Sequence, residues 1–240
     1  MASTYAALTR DDPNPVKRWL QRRRLSDAFR AAGGLAPGLL VDYGGGDGAM
    51  SAMAAERWPG CRVVCFEPEA TLAGQAREML GGVPRASVVV SEEALPEAAA
   101  DLVFCTEVFE HLPAAETARA LDEIGRVLKP GGLLVVGVPV EVGPPALPKG
   151  LFRMARRAGQ FDARLGPILS AAMGSAPSPR ETAEIAPGRF YFPHHLGFDH
   201  RRLTDEVGRR FEIVRLAGSP APWLPVALNS EAYLTARKPG

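Results

Sequence analysis

The sequence of 240 residues contains little cysteine, almost no net charge and no long apolar run. Its three cysteines show no CxxC spacing, which argues against a disulfide-stapled secreted domain. Twenty-eight basic and 27 acidic residues leave a formal charge of +1, whereas nucleic-acid-binding domains usually carry a large basic excess. The longest apolar runs, such as Leu133–Val140, fall far short of the ~20 residues that span a bilayer. We therefore expect a cytoplasmic protein with no nucleic-acid partner, and peripheral contact at the inner membrane face stays open.

Short apolar segments alternate with helical patterns over the first 140 residues. Strand character is found in Leu39–Tyr43, Arg62–Phe66, Ala86–Val90, Leu102–Cys105 and Leu133–Val138. Helical spacing is found in Asn14–Ala32, Asp47–Trp58, Glu69–Leu80 and Pro113–Leu128. This alternation predicts right-handed βαβ units, and therefore a doubly wound, mostly parallel α/β sheet with helices on both faces.

The alternation stops after residue 139. Residues 141–198 are rich in Pro, Gly, Ala and Arg and contain one clear amphipathic stretch, Leu151–Met173. A short helix at His200–Val207 follows, and then two strands at Phe211–Leu216 and Ser230–Ala236. Because only a Pro-rich connection joins these two strands, they are predicted to form an antiparallel edge of the sheet.

A glycine-rich loop lies between the first predicted strand and the helix after it. It reads VDYGGGDGAMS at residues 41–51, with Asp42 at the end of the strand. Glycines let a backbone turn sharply and approach a ligand closely, and the helix N-terminus behind them offers free N–H groups. Glu67 ends the next strand, where a carboxylate can accept both hydroxyls of a ribose. The pattern indicates a nucleoside-containing ligand at this edge of the sheet.

The loop spacing D-x-G-x-G-x-G differs from the GxGxxG of nicotinamide dehydrogenases and resembles motif I of the class I S-adenosylmethionine-dependent methyltransferases. Two later segments, DLVFCTEVFEHLP at 101–113 and VLKPGGLLVVGVP at 127–139, are similar to further motifs of that family and come in the same order. The resemblance covers residues 39–140. It implies the type 11-like, small-molecule and glycan group of the family, with S-adenosylmethionine as cofactor and S-adenosylhomocysteine as product.

The resemblance also implies which residues bind the cofactor. Asp42 is expected near the methionine ammonium group, and Glu67 is expected to bind the ribose. Many members have an aspartate for the adenine, but this chain has Ser91 followed by Glu92 there, so either residue is a candidate. The complete predicted set is Asp42, Tyr43, Gly44, Gly46, Gly48, Glu67, Pro68, Ser91, Glu92, Thr106 and Glu107.

An ExxEH pattern, formed by Glu107, Glu110 and His111, follows the fourth predicted strand. At the start of a helix this spacing places all three side chains on one face, where they can bind a divalent cation. The pattern is similar to the metal-binding element of the small-RNA 3′-terminal 2′-O-methyltransferases and of the ubiquinone-biosynthesis O-methyltransferases. It is also common in class I enzymes without a metal, so we predict no metal ion and keep these residues as the alternative.

Three of the four histidines lie in FYFPHHLGFDHRRL, at residues 190–203. A histidine titrates near neutral pH and is the natural general base for a hydroxyl acceptor. His194 and His195 are therefore the candidate catalytic bases. Within the same segment, residues 197–199 also have the pattern of a turn and helix N-cap, which predicts a structural role for Asp199.

Two further segments combine cations with apolar residues. Lys17–Arg24 holds five cations in eight residues, and Leu151–Met173 is basic and amphipathic. Each can lie against an anionic membrane surface. The alternatives are a solvated helix face for the first segment and a lid over the acceptor site for the second.

Together these observations predict a single methyltransferase domain over residues 1–240, with a seven-stranded Rossmann-like sheet. Its parts are an N-terminal helix (13–34), a cofactor-binding core (38–140), an insert or lid (141–198), and a C-terminal helix with edge strands (199–240). The predicted reaction is O-methylation of a hydroxyl on a small-molecule, glycan or lipid-linked acceptor. A metal-assisted RNA 2′-O-methyltransferase and a non-catalytic binding protein with the same fold are the alternatives.

Overall fold

The computed structural model describes residues 15–157, 160–186 and 188–240. The helices are α1 (Pro15–Ala31), α2 (Ala49–Arg57), α3 (Ala70–Leu80), α4 (Ala114–Val127), α5 (Ala146–Arg157), α6 (Leu165–Ala172) and α7 (His200–Gly208). The strands are β1 (Leu39–Tyr43), β2 (Arg62–Phe66), β3 (Ala86–Val89), β4 (Ala100–Thr106), β5 (Leu128–Pro139), β6 (Ala183–Ala186), β7 (Arg189–Tyr191), β8 (Glu212–Ser219) and β9 (Glu231–Arg237). Residues 13 and 14 of the predicted first helix lie outside the described residues. So do the side chains of residues 15–22, which include three of the five cations of Lys17–Arg24.

Seven strands form one sheet in the order β3-β2-β1-β4-β5-β9-β8. Strands β1 to β5 are parallel, whereas β9 runs antiparallel to both β5 and β8. This arrangement confirms the predicted Rossmann-like sheet with an antiparallel edge. Strands β6 and β7 form a separate small hairpin in the insert. The hairpin was not predicted, because strands of four and three residues are too short to show an alternating pattern.

The central strands are apolar on both faces because helices cover both faces of the sheet. On one face Leu40 and Phe104 pack in a cluster with Phe29 of α1. On the other face Val41 packs in the cluster that contains Leu121 of α4. The core therefore fixes the positions at which β1, β2 and β4 end.

Strand β5 begins earlier than the predicted boundary at residue 133. Ala100 pairs with Leu128 and Leu102 pairs with Leu133, so the residues between them bulge out of the ladder. Gly131 has φ +76°, which L side chains rarely adopt. The KPGG corner is therefore an interruption inside the strand rather than a loop before it.

The predicted single amphipathic stretch in the insert is two helices, α5 and α6, with a 3₁₀ turn at Phe161–Ala163. The two helices approach closely at Gly150, where a Cβ would lie 2.4 Å from Ile168 Cγ2. Ile168 and Ala171 are buried in a cluster with Leu196. The insert thus packs on the segment that carries the two candidate histidines. In the described part of the chain, no helix combines the length and apolarity needed to span a bilayer.

Candidate functional site

A cavity of about 1070 Å³ lies where β1, β2 and β4 end. Its wall combines the loops after these strands with parts of α1, α2 and α4 and with Phe190, Tyr191 and His195 of the insert. Ligand sites usually measure about 300–1,000 Å³. The cavity therefore has room for a nucleoside-containing ligand together with an acceptor.

Most of the residues predicted to bind the cofactor line this cavity. They are Asp42, Tyr43, Gly44, Gly46, Glu67, Pro68, Thr106 and Glu107. Gly48 does not line it, since it packs on α3, where a Cβ would lie 3.2 Å from Ala76 Cα. Ser91 and Glu92 also lie outside the wall. The Ser91 hydroxyl donates to Glu93, and Glu92 accepts a hydrogen bond from the Tyr43 hydroxyl at 2.6 Å.

The glycine loop is bound tightly to the end of β2. The N–H groups of Gly44 and Gly45 donate to the Phe66 carbonyl oxygen at 2.8 and 3.0 Å. Gly44 has φ +76°, and a Cβ there would lie 2.4 Å from Val108 Cγ2. A Cβ at Gly45 would lie 2.5 Å from Cys65 Sγ. Any side chain at either position would push the loop away from β2 or into the cavity.

Asp42 is buried beneath this loop, with 1% of its surface exposed. Its Oδ2 accepts a hydrogen bond from the Ser51 hydroxyl at 2.7 Å. Burial raises the pKa of Asp42 to about 6, and the Ser51 hydrogen bond opposes that rise. A cation beside Asp42 would relieve the cost of burying its charge.

Glu67 lies at the end of β2 and is 5% exposed. Its Oε2 accepts from the Gly46 N–H and its Oε1 accepts from the Glu69 N–H, both at 2.9 Å. Burial raises the pKa of Glu67, and these backbone hydrogen bonds oppose the rise. Because a carboxylate oxygen has two lone pairs, each can still accept a ligand hydroxyl from the cavity.

The ExxEH residues do not share a helix face, so that prediction is wrong. Residues 109–111 form a 3₁₀ turn and α4 begins only at Ala114, after Pro113. Glu107 lies before both elements in the left-handed region, with φ +58°. The Glu107 side chain is 26% exposed, whereas Glu110 is fully buried.

Glu107 instead forms an ion pair with Arg24 of α1, at 3.0 Å. Arg24 also pairs with Glu231 of β9 at 2.6 Å. Although burial opposes its charge, these two carboxylates raise the pKa of Arg24. Arg24 was not predicted as a site residue, because it is one of five cations in a short run of sequence.

Of the two predicted bases, His194 and His195, it is His195 that lines the cavity. Its Nε2 lies 3.2 Å from the Nε2 of His111. His111 Nδ1 lies 2.8 Å from the Phe192 carbonyl oxygen. Since a carbonyl only accepts, His111 carries its proton on Nδ1 and has a lone pair on Nε2. One proton or one cation must therefore lie between the two Nε2 atoms.

Both of these imidazoles are neutral near pH 7. Burial, and after it the charge of His111, lower the pKa of His195 to about 3. Burial also lowers the pKa of His111. His194 lies elsewhere, with its Nδ1 3.7 Å from Asp162 Oδ2. Asp199 accepts from the Arg201 N–H at 3.0 Å as the N-cap of α7, in agreement with its predicted structural role.

Glu110 lies beside His111 and His195 and adds a third side chain of a type that can bind a metal ion. One donor atom each of Glu110, His111 and His195 lie within 4.8 Å of one another. Neither Glu110 oxygen has a hydrogen-bond partner among the described residues. Burial, and next the charge of Glu107, raise the pKa of Glu110 well above its usual range. The ligand-type atoms of Glu110 and His111 thus group with that of His195, and Glu107 is not a member of this group.

Arg180 of the insert, which was not predicted as a site residue, holds the segments of His111 and His195 together. Its Nη2 donates to the Glu110 carbonyl at 2.7 Å and also to the His194 carbonyl. Its guanidinium carbon lies 3.8 Å from the centre of the Phe192 ring. The position of His195 relative to His111 therefore depends on a residue from a third segment.

Comparison with known proteins agrees with this geometry. Residues 41–136 match a family model described as a methyltransferase domain. The chain is 31% identical over 213 residues to a trans-aconitate 2-methyltransferase from Azoarcus sp., covering 84% of this chain and 76% of that protein. It is 35% identical over 121 residues to a malonyl-[acyl-carrier protein] O-methyltransferase from Geobacter sulfurreducens, covering 49% of this chain and 44% of the relative.

The fold is similar to that of the N-methyltransferase NodS from Bradyrhizobium japonicum, solved in complex with S-adenosyl-L-homocysteine. The TM-score is 0.58 at 15% identity, covering 100% of this chain and 94% of that one. The sheet order, the glycine loop and the extended match to the Azoarcus protein all indicate the same assignment. The chain belongs to the class I S-adenosylmethionine-dependent methyltransferases.

Proposed function

We propose that the enzyme transfers a methyl group to a hydroxyl of a small-molecule, glycan or lipid-linked acceptor. The observation that carries this proposal is the neutral His111–His195 pair beside the cavity. Such a pair can take a proton from a neutral acceptor, and it offers no positive charge to an anionic one.

The residues around the glycine loop fit S-adenosylmethionine. When bound, this cofactor supplies a methyl group already activated on a positively charged sulfur. Asp42 would pair with the ammonium group of the cofactor, and Glu67 would accept from the ribose hydroxyls. The cavity wall contains six carboxylates and two arginines, and this excess of acid favours a cationic ligand.

The charges of the wall also favour a hydroxyl acceptor over a carboxylate. The names of the two relatives, trans-aconitate 2-methyltransferase and malonyl-[acyl-carrier protein] O-methyltransferase, point to acceptors with carboxyl groups. A carboxylate needs a cationic partner when it leaves water. The described arginines of this wall are already paired, Arg24 with Glu107 and Glu231, and Arg119 with Glu92 and Glu116.

His195 is the residue that can accept the proton of the acceptor. In the metal-free pair, His195 donates its Nε2 proton to His111, so its remaining lone pair is on Nδ1. A base with a pKa of about 3 is too weak to ionise a free alcohol. It is strong enough to accept the proton as the methyl group is transferred, because the acceptor oxygen becomes far more acidic while its bond to the methyl carbon forms.

A second candidate is metal-assisted methylation. The unpartnered Glu110 oxygens and the two facing Nε2 atoms are the observation that favours it. Two imidazole nitrogens bound to one ion at about 2.1 Å lie roughly 3 Å apart. An ion held by Glu110, His111 and His195 would let the acceptor hydroxyl lose its proton more easily. The acidic wall opposes an RNA chain as that acceptor.

Methyl transfer from radiolabelled S-adenosylmethionine tests the acceptor class. The acceptors to compare are a phenol, a sugar and trans-aconitate, followed by mild alkali. We expect alkali-stable ethers from hydroxyl acceptors, because methyl esters are hydrolysed under these conditions. Transfer confined to trans-aconitate, with release of the label by alkali, would overturn the hydroxyl proposal.

A matched pair of variants tests the base. His195→Ala should slow turnover by roughly 100-fold or more without changing the affinity for S-adenosylhomocysteine. His194→Ala, its neighbour outside the cavity wall, should change turnover little. Loss of activity with a chelator, restored by one divalent metal, would instead establish the metal-assisted mechanism.

A further inference from the structure

The insert and the loop between β8 and β9 project large apolar side chains into solvent. In α5, Leu151 is 51% exposed and Phe152 is 56% exposed. At α6, Leu165, Leu169 and Met173 are exposed by 52%, 43% and 82%. We call these five residues, together with Trp223 of the β8–β9 loop (79% exposed), the apolar rim.

The rim is mounted on segments that are themselves well packed. The opposite side of α6 buries Ile168 in the core of the insert. The β8–β9 loop is held by Asn229, which is 2% exposed and whose Nδ2 donates to the carbonyls of Ala221 and Pro225. Lys149 Nζ of α5 donates to the Ser230 carbonyl at 2.9 Å and so joins the insert to this loop. The exposed side chains therefore belong to fixed surfaces.

Both parts of the rim lie at the same edge of the sheet as the cavity. The insert follows the end of β5. Pro139, the last residue of β5, pairs with Glu231, the first residue of β9. The β8–β9 loop ends just before Glu231. Phe190 of the insert is 48% exposed and also lines the cavity. An object that contacts the rim is thus close to the opening through which an acceptor enters.

The exposed charged residues among the described side chains of residues 146–173 are arginines, Arg156 and Arg164. Two further cations of α5, Lys149 and Arg153, form ion pairs with the buried Glu141. The one acid in this range, Asp162, is 1% exposed. Residues 217–230 contain no charged residue. The rim is therefore complementary to an apolar surface that carries negative charge.

We propose that the apolar rim docks the enzyme on the surface of a bilayer that contains anionic lipids. Leucine and phenylalanine side chains insert below the headgroups, arginines bind the anionic headgroups, and a tryptophan is stable at the boundary. A symmetric contact between two copies of the chain would bring Arg156 and Arg164 close to the same cations of the partner copy. The docking does not depend on which acceptor is methylated.

Sedimentation with sucrose-loaded vesicles tests this docking. Vesicles of phosphatidylcholine alone are compared with vesicles that also contain phosphatidylglycerol. We expect binding to the anionic vesicles that weakens as salt is raised. The double variant Leu151→Ser/Leu169→Ser should lower the partition coefficient at least tenfold while it still binds S-adenosylhomocysteine.

The matched control is Val214→Ser/Leu216→Ser in β8, which removes two apolar side chains that are 50% and 39% exposed. This control should bind vesicles like the unmodified enzyme. The proposal is overturned if the unmodified enzyme does not bind anionic vesicles, or if the control loses binding equally. It is also overturned if sedimentation velocity shows a dimer that the Leu151→Ser/Leu169→Ser variant dissociates, because the rim is then a contact between copies.

Discussion

The two ends of the cavity are built in different ways. At the end formed by the loops after β1 and β2, backbone groups within residues 44–69 make the hydrogen bonds that shape the wall. At the other end, side chains from distant segments meet: His111 and His195 are 84 residues apart, and Arg24 and Glu231 are 207 residues apart. The first end is a local structure, and the second exists only when the insert, α1 and β9 are all in place.

This difference decides how each end responds to mutation. A wall made of backbone requires the absence of side chains, so one added Cβ is enough to damage it. A wall made of side chains depends on the groups that hold them, and each of these can be removed without refolding the sheet. Variants can therefore affect cofactor binding and turnover separately.

The largest effect is expected for Gly44→Val at the backbone-built end. Its φ of +76° disfavours valine, and the added Cβ lies 2.4 Å from Val108 Cγ2. Calorimetric titration should show S-adenosylhomocysteine affinity reduced by roughly 100-fold or more, because the loop must leave its position against β2. Gly34→Ala is the control, since a Cβ there meets nothing within 4 Å. Normal affinity in Gly44→Val would mean that the loop does not contact the cofactor.

The same contrast explains what the sequence could predict. The strand ends and the glycine loop depend on local apolar patterns and on glycine spacing, so eight of the eleven predicted cofactor residues line the cavity, whereas Gly48, Ser91 and Glu92 do not. Gly45 was not predicted, because its close contact with Cys65 depends on how β1 and β2 pair. The mostly parallel sheet with an antiparallel edge followed from the alternation of strands and helices, whereas the order of its strands was not predicted.

The acceptor end was predictable only in part. His195 was identified by its residue type, but its partner His111 was assigned to a helix that begins three residues later. No local pattern distinguishes Arg24 or Arg180 from the many other arginines of the chain. Their roles come from contacts made across long stretches of sequence, which periodicity does not encode.

Removal of Arg180 is expected to change turnover without changing cofactor binding. Arg180→Ala deletes the hydrogen bonds to the carbonyls of Glu110 and His194, so the His195 segment can move away from His111. A displacement of about 1 Å can slow a reaction by up to roughly 100-fold. Turnover number and S-adenosylhomocysteine affinity, measured on the same preparation, provide the check.

Arg202→Ala is the control for this variant, because the Arg202 side chain is 81% exposed and its nearest acid, Asp199, is as far away as 4.0 Å. It should behave as the unmodified enzyme does. If Arg180→Ala weakens cofactor binding as strongly as it slows turnover, the two ends of the cavity are not independent, and the contrast drawn between them is wrong.

The smallest and most specific effect is a pH dependence that arises from Asp42. Burial raises its pKa to about 6 in the ligand-free enzyme, above the value near 4 expected in an unfolded chain. Folded Asp42 therefore binds its proton more tightly than unfolded Asp42. The free energy of unfolding should fall as the pH rises from about 4 to about 6, by up to about 3 kcal/mol. In the Asp42→Asn variant, the free energy of unfolding measured with denaturant should not show this fall.

Cofactor binding should show the opposite trend. The proposed pairing with the ammonium group of S-adenosylhomocysteine needs an ionised Asp42, so affinity should rise by up to about tenfold per pH unit until about pH 6 and then level off. Adenosine lacks the amino-acid group and should show a weaker dependence over the same range. Equal pH dependence for the two ligands would show that Asp42 does not bind the ammonium group. The buried carboxylate would then serve only to hold the loop through Ser51.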